Sequence, residues 1–245
     1  GTAAADPDDI VAPVVFNNEL YIAGSETIEG FSNQPNGADF PFLRTGLYIP
    51  KGVDAPFTLI PVNNTFFFIG SGTNESPAVW AFNGGGVDKI STTAIDTILQ
   101  GYADAEITTA TAWAYAQKGA YFVGFNLPNE TIVYDTISQR WHERKSVITS
   151  ASGVKSVERF RVADVVQAYG LVLVADSKDG RIGSMDLDVM TEYGENIRRT
   201  FSTQPFSDQL KPFRIPRLEL MLESGVGDTT TVDPVVTMEI SRDAR

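Results

Sequence analysis

Four stretches of the chain repeat one hydrophobic–polar pattern. They are NNELYIAGSETIEGFSN (17–33), NNTFFFIGSGTNESPAVWAFN (63–83), KGAYFVGFNLPNETIVYDTISQRW (118–141) and YGLVLVADSKDGRIGSMDLD (169–188). Each opens on a polar or glycine-containing turn, runs through about six apolar residues, turns through polar residues, and returns along a second, roughly alternating segment. That is the pattern of a β-hairpin. Gly24, Gly70 and Gly124 follow the first strand in three of them and Ala175 takes the matching place in the fourth, at intervals of 46, 54 and 51 residues. A β-rich period of that size predicts propeller-like blades. A β-sandwich with four similar hairpins is the rival reading, and four units are few for a closed propeller.

Two runs, Phe66-Phe67-Phe68-Ile69 and Leu171-Val172-Leu173-Val174, are apolar without a break. An unbroken run of that length predicts a strand covered on both faces. Trp80, Trp113 and Trp141 are expected to fill space between sheets, with a sugar-stacking platform as the alternative. One short helix is predicted over 91–102, where Ile95, Ile98 and Leu99 share a face, Ser91 or Thr92 caps the start and Gly101 closes the end.

The pattern changes near residue 190. FRIPRLELMLESGVG (213–227) and DPVVTMEISRDAR (233–245) read as long strands, the second alternating Val235, Thr237, Glu239 and Ser241 against Val236, Met238 and Ile240. The expected organisation is therefore all-β, with a propeller-like domain over 1–190 and the start of a sandwich-like domain over 191–245. The chain lacks an initiator Met and stops directly after a strand pattern, so it is expected to be an interior piece of a longer protein.

Composition narrows the chemistry. The chain carries 19 Lys and Arg against 31 Asp and Glu, a net charge of −12. No overall basic footprint for a phosphate backbone exists. There is no cysteine, which excludes disulfides, thiolate nucleophiles and Cys-based zinc sites. His142 is the only histidine, so no His-pair metal site forms within one chain. No stretch of 18 apolar residues occurs, and GTAAADPDDIVAP at the start has neither the basic nor the apolar region of a signal peptide.

The densest group of acids is Asp176, Asp179, Asp186, Asp188, Glu192 and Glu195. An EF-hand begun at Asp176 would place Lys178 at the third position, Gly180 at the fifth and Leu187 at the twelfth, so the calcium-loop spacing fails. Asp179-Gly180 suits a hairpin tip instead, and Asp186 and Asp188 are expected on a solvent face. His142 has no serine in a nucleophile-elbow pattern to serve, because no G-x-S-x-G exists; a surface or half-exposed structural histidine is expected. Gly84-Gly85-Gly86 reads as a flexible hairpin tip. Arg198-Arg199 with Arg214 and Arg217 is the one basic cluster, open to either inter-domain salt bridging or an acidic partner. Paired carboxylates for glycoside hydrolysis meet in space and not in sequence, so a carbohydrate-binding or carbohydrate-cleaving propeller is the competing functional class.

Ordered features across most of the chain carry a family resemblance. They are the block ELYIAGSETIEGFSNQPNGADFPFLRTGLYIPKGVDAPFT (19–58), the run KISTTAIDTILQGY inside 62–102, and the Leu-Pro, Val-Tyr-Asp and Trp of GAYFVGFNLPNETIVYDTISQRWHERKS (119–146). To these are added the Asp-Gly turn, Arg-Ile and Thr-Glu-x-Gly-Glu-x-Ile-Arg-Arg within 174–199. The chain resembles the packaged-DNA stabilisation proteins of short-tailed bacteriophages, the tail accessory or head-completion factors. Ala175 and the small Gly183-Ser184 depart from the family pattern.

That resemblance implies a virion structural protein, assembled in the host cytoplasm and placed in the tail. It implies a ring of identical subunits, expected as a hexamer, between the portal-adaptor ring and the tail needle and spikes or fibres, closing the portal after DNA packaging. DNA would pass through without specific binding. The resemblance implies no catalytic residue, no cofactor, no metal and no membrane partner, and an activity that is not enzymatic. The absence of cysteine suits assembly in a reducing cytoplasm.

Overall fold

The computed structural model describes residues 8–34, 41–150, 152–203, 214–221 and 236–240. Its strands are generated by a two-residue turn that recurs four times, at Asn17-Asn18, Asn63-Asn64, Lys118-Gly119 and Tyr169-Gly170. The first residue of each has a positive φ: 47°, 51°, 48° and 56°. Turns of this hand match the right-handed twist of the strands they join. Asn tolerates the left-handed region. Lys118 and Tyr169 adopt it next to glycines that share the distortion.

Each turn joins a first strand, absent from the hairpin pattern seen in the sequence, to the apolar second strand. The first sheet is β1 (Ile10–Phe16), β2 (Glu19–Gly24), β3 (Ile28–Asn33) and β4 (Phe42–Ile49). The second is β5 (Ile60–Val62), β6 (Thr65–Gly70), β7 (Ala78–Phe82) and β8 (Val87–Lys89). Helices α1 (Thr93–Gln100) and α2 (Asp104–Ile107) follow. The third sheet has five strands, β9 (Thr111–Gln117), β10 (Ala120–Asn126), β11 (Thr131–Asp135), β12 (Arg140–Thr149) and β13 (Lys155–Arg159). The fourth has three, β14 (Val162–Ala168), β15 (Leu171–Asp176) and β16 (Ile182–Met185). All four are antiparallel meanders in sequence order, and β1 lies against β5, β5 against β9, and β9 against β14. Four sequential meanders whose first strands are neighbours are propeller blades side by side.

Alternation along the second strands explains the first apolar run, whereas the second, Leu171–Val174, is covered on one face only: Val172 and Val174 are buried but Leu171 is exposed. Within β6, Phe66 and Phe68 point to the first blade, meeting Phe16, Tyr21 and Ala23. Phe67 and Ile69 point to the third, meeting Val123, Phe125 and Ile132. A strand inserted between two blades has no polar face, so its alternation disappears from the sequence. The third and fourth blades meet through Trp113, Tyr115, Val133 and Val172. Counted from each turn, the second and fourth residues of every second strand face the preceding blade and the third and fifth face the following one.

That count corrects the register read from sequence. Gly24 and Gly70 end their strands at the sixth position, but the sixth position is Phe125 in β10 and Asp176 in β15. Gly124 and Ala175 stand one residue earlier and therefore face the other way. Gly124 is small because the Trp113 ring lies over it: a Cβ there would come within 2.2 Å of that ring. Gly70 answers a different need, since a Cβ on it would come within 1.9 Å of the Gly52 carbonyl oxygen of the neighbouring segment.

The predicted helix is present as α1, with Ile95 and Leu99 buried. Thr92 stands at its N-cap without a side-chain hydrogen bond. Ser91 instead donates to Asp96 at 2.6 Å and accepts from the Val79 amide at 3.2 Å, tying the helix start to β7. Gly101 closes the helix in the right-handed region, φ −73°, so no left-handed cap forms. The short α2, whose Glu106 carboxylate accepts the Ala103 amide at 2.9 Å, has no periodic signal at four residues.

By contacts the chain divides into two compact units, Gly1–Leu187 and Asp188–Arg245. In the second, β17 (Thr191–Glu192) pairs with β18 (Glu195–Asn196). The long strands expected within 213–227 and 233–245 are not found among the described residues: 214–221 and 236–240 run without strand structure, their side chains exposed. An alternating sequence becomes a strand only where a neighbour completes its ladder, and no such pairing is described there. The remainder of both segments lies outside the described residues. No helix among the described residues is long and apolar enough to cross a membrane.

Candidate functional site

One polar position recurs at the end of every second strand. It is the residue directly after the strand in three blades, Ser25, Ser71 and Ser177, and the last strand residue, Asn126, in the third. Each stands at the same distance from its turn. The lead-in to a first strand anchors it. Asp8 accepts from the Ser25 amide (2.8 Å) and hydroxyl (2.5 Å), the Glu26 amide (3.0 Å), and the Thr27 amide (2.8 Å) and hydroxyl (3.0 Å). Burial alone would raise the Asp8 pKa, but these donors together hold it below the ordinary value.

In the second blade Asp54 accepts from the Ser71 hydroxyl at 3.0 Å, and the Gly52 amide donates to the Ser71 carbonyl at 2.8 Å. In the fourth, the Ser177 amide donates to the Arg161 carbonyl at 2.8 Å. Asn126, 2% exposed, is the most connected of the set. Its oxygen accepts from Trp113 Nε1 (3.2 Å) and the Thr131 hydroxyl (2.9 Å), while its amide donates to the Val162 carbonyl (2.9 Å) of the next blade. The sequence offered a signal for these posts, a Ser or Asn at fixed distance from each turn, but only once the first strands fix the count.

Asp54 differs from Asp8 in having one donor. Its Oδ2 is buried without a hydrogen-bond partner. Burial, with the Asp104 charge adding to it, raises its pKa against the pull of Ser71. A raised carboxylate pKa costs stability once pH rises above the unfolded value and leaves none of that cost in acid. Asp54→Asn is therefore expected to raise the urea midpoint at pH 7 and to leave it unchanged near pH 3. A midpoint lowered at both pH values would show that the charge itself is needed.

The first two acids of the acid-rich run pair with arginine, Asp176 buried and Asp179 at the surface. Asp176 forms an ion pair with Arg161 (Nε to Oδ2, 2.5 Å), their side chains 0% and 8% exposed. Asp179 bridges Arg161 at 3.1 Å and Arg181 at 2.5 Å. The Lys178 amide donates to Asp176 at 2.7 Å and the Arg181 amide to Asp179 at 3.2 Å, with Gly180 at φ 70°, so this stretch forms the expected hairpin tip. Asp186 and Asp188 are exposed, as expected. No group of three or more metal-ligating side chains occurs among the described residues.

His142 lies within β12 opposite Val133 and is exposed. Its Nε2 accepts from Arg144 Nε at 3.2 Å, which requires a neutral ring. Desolvation by the surrounding protein, then the Arg144 charge, push its pKa down to about 4 against the opposing pull of Asp135. Arg144 itself sits 5.5–5.8 Å from the ring centroids of Trp113, Tyr115, Phe122 and Phe160, and donates to the Tyr115 hydroxyl at 2.6 Å. Aromatic faces attract such a cation, and here the cluster fills the seam between the third and fourth blades.

The tryptophans pack as expected. Trp113 is fully buried. Trp80 donates to the Gly70 carbonyl at 2.9 Å and Trp141 to the Ile90 carbonyl at 3.0 Å. Gly84-Gly85-Gly86 is the tip between β7 and β8, its Gly85 and Gly86 amides bound by the Asn83 side chain at 3.2 and 2.8 Å. Of the basic cluster, Arg217 pairs with the exposed Glu219 at 3.3 Å and Arg199 contacts Met190 sulfur at 3.3 Å.

Residues 1–190, which contain all four blades, match the family described as "Bacteriophage P22 Gp10, beta-propeller". The chain belongs to this phage-stabilisation family. The all-β, propeller-like architecture and the viral structural role follow from that membership. No curated protein matches the chain. Among solved structures, one described as "Crystal structure of the computationally designed Ika4 protein" is similar at 12% identity and a TM-score of 0.33, covering 75% of this chain and 94% of its own. For a phage-stabilisation propeller, the posts, ion pairs and aromatic seam described above are what a rigid structural part requires.

Proposed function

We propose that the chain is a wall segment of a phage tail or neck. In this role it helps to close the portal after DNA packaging and links the portal-adaptor ring to the tail needle and spikes. The observation that carries this reading is the family match over the four blades themselves. Identical subunits set side by side in a ring, six in the proposed virion assembly, would meet through heterologous, head-to-tail contacts. The net charge of −12 supports a passage that does not grip DNA, since affinity for the duplex grows with each phosphate neutralised by Lys or Arg. The work is then mechanical, and no side chain is assigned a chemical step.

The test is to mix the full-length protein with purified portal and adaptor rings and measure the mass of the product. A ring of the protein added to the portal-adaptor complex is the expected result. No association, or turnover of a glycan panel that disappears on replacing a carboxylate pair, would overturn it.

A further inference from the structure

The glycine tip of the second blade carries chemistry that a rigid wall does not use. Phe82 and Val87 pair directly at the ends of β7 and β8 and pack in the core with Phe16 and Phe66. The four residues between them are therefore clamped at both ends. The Asn83 amide closes the loop by donating to the Gly86 carbonyl at 3.0 Å. Asn83, Gly84 and Gly85 stand exposed. An Asn side chain competes well for neighbouring backbone donors. Here Oδ1 accepts the Gly85 amide at 3.2 Å and the Gly86 amide at 2.8 Å. The Gly84 amide and Asn83 Nδ2 have no hydrogen-bond partner among the described residues.

This arrangement suits attack of the backbone on its own side chain. We propose that Asn83 is a self-modification site, where the Gly84 nitrogen displaces the side-chain amide through a succinimide. Hydroxide takes the Gly84 N–H proton, and the nitrogen lone pair forms a bond to Asn83 Cγ. The carbonyl electron pair moves onto Oδ1, where the Gly85 and Gly86 amides already donate. As that pair returns, the Cγ–Nδ2 bond breaks, and Nδ2 takes a proton from water and leaves as ammonia. Water then opens the ring. Cleavage of the new N–Cγ bond gives aspartate at position 83. Cleavage at the main-chain carbonyl carbon of the same residue gives isoaspartate. The sum is amide and water to acid and ammonia, with nothing oxidised or reduced.

Three features single out this position. Gly84 has no Cβ to shield its nitrogen, and nothing stands within 4 Å of where a Cβ would be. Its φ of 93° is one that a side chain would resist. The two donors on Oδ1 are fixed before charge develops there, which is the arrangement that stabilises an oxyanion. Clamped loop ends keep nucleophile and carbonyl together, as an intramolecular reaction requires. Either product adds a negative charge at the tip, beyond the last paired residues, so the blade itself persists. The proposal rests on the loop alone and not on the viral reading.

The test is to incubate the 245-residue chain at mildly alkaline pH, folded and in guanidinium. Peptide mass spectrometry at position 83, with enzymatic methylation of isoaspartate, reads the product. The folded chain is expected to convert at least about tenfold faster, a small part of the roughly 10²–10³ that one fixed oxyanion donor supplies. Gly84→Ala is expected to slow conversion several-fold. Asn83→Gln, whose extra methylene carries the carbonyl out of reach, is expected to stay intact with an unchanged circular dichroism spectrum. Equal rates in the folded and unfolded chains would overturn the proposal. So would an Asn83 that survives in the folded chain after the unfolded one has converted.

Discussion

Trp113→Ala is expected to destabilise the protein by about 3–5 kcal/mol, the range for deleting a large buried aromatic side chain. Trp113 is the largest fully buried side chain. It covers Gly124, stacks at 6.0 Å on Tyr115, lies under the Arg144 guanidinium and binds Asn126 through its ring nitrogen. Its removal opens a cavity in the seam between the third and fourth blades and strips Asn126 of one donor. Gly124→Val is expected to damage the same place from the other side, because the new methyl groups would occupy the volume of the indole. The two changes should therefore couple. In the Trp113→Ala background, Gly124→Val should cost much less than alone. Guanidinium unfolding followed by circular dichroism measures all four corners of this cycle. Additive losses would mean that the ring and the glycine do not share one space.

The second large effect is expected at Arg161. Replacing it with Met leaves the Asp176 carboxylate buried without its cation, a change that costs about 3–5 kcal/mol in pairs of this kind. Asp176→Asn in the same background should restore most of the loss, because the residual charge and not the missing contact carries the penalty. A loss below about 1 kcal/mol for Arg161→Met would show that water reaches Asp176 and that the pair is no more than a surface contact. Arg181→Ala provides the contrast. Its own side chain is 47% exposed and its partner Asp179 is 42% exposed, so that pair stands in solvent.

Much of this was readable from the chain. The four hairpins, the helix at Ile95 and Leu99, the glycine tip at 84–86 and the Asp179-Gly180 turn each depend on neighbours close in sequence, where periodicity and turn chemistry act directly. The first strands leave little trace in the sequence, for a physical reason. Thr111–Gln117 and Val162–Ala168 mix small, polar and apolar residues because they are packed by neighbouring first strands as well as by blade faces, so neither a clean alternation nor an apolar run survives. Without the first strands the pattern alone places Gly124 and Ala175 one residue out of register.

Asp176 stands out in the sequence within the densest run of acids, whereas Arg161 does not. Nothing local marks the arginine, which directly precedes β14 and meets its carboxylate on the adjacent strand, where Val162 pairs with Asp176. The long strands expected beyond residue 213 show the converse: their alternation is plain in the sequence, yet among the described residues no pairing neighbour accompanies it.

The fixed interval from each turn to its polar post has a consequence for how such a protein diversifies. The spacing between posts varies from repeat to repeat, yet the interval from turn to post stays the same, because one inserted residue there would exchange the strand's two faces. Variation in length therefore falls on the later strands: the third blade gains a fifth, the fourth stops at three, and two helices intervene after the second. Natural drift can rewrite the periphery while the centre stays constant, so lineages that must fit different attachment partners would be expected to differ most at the rim.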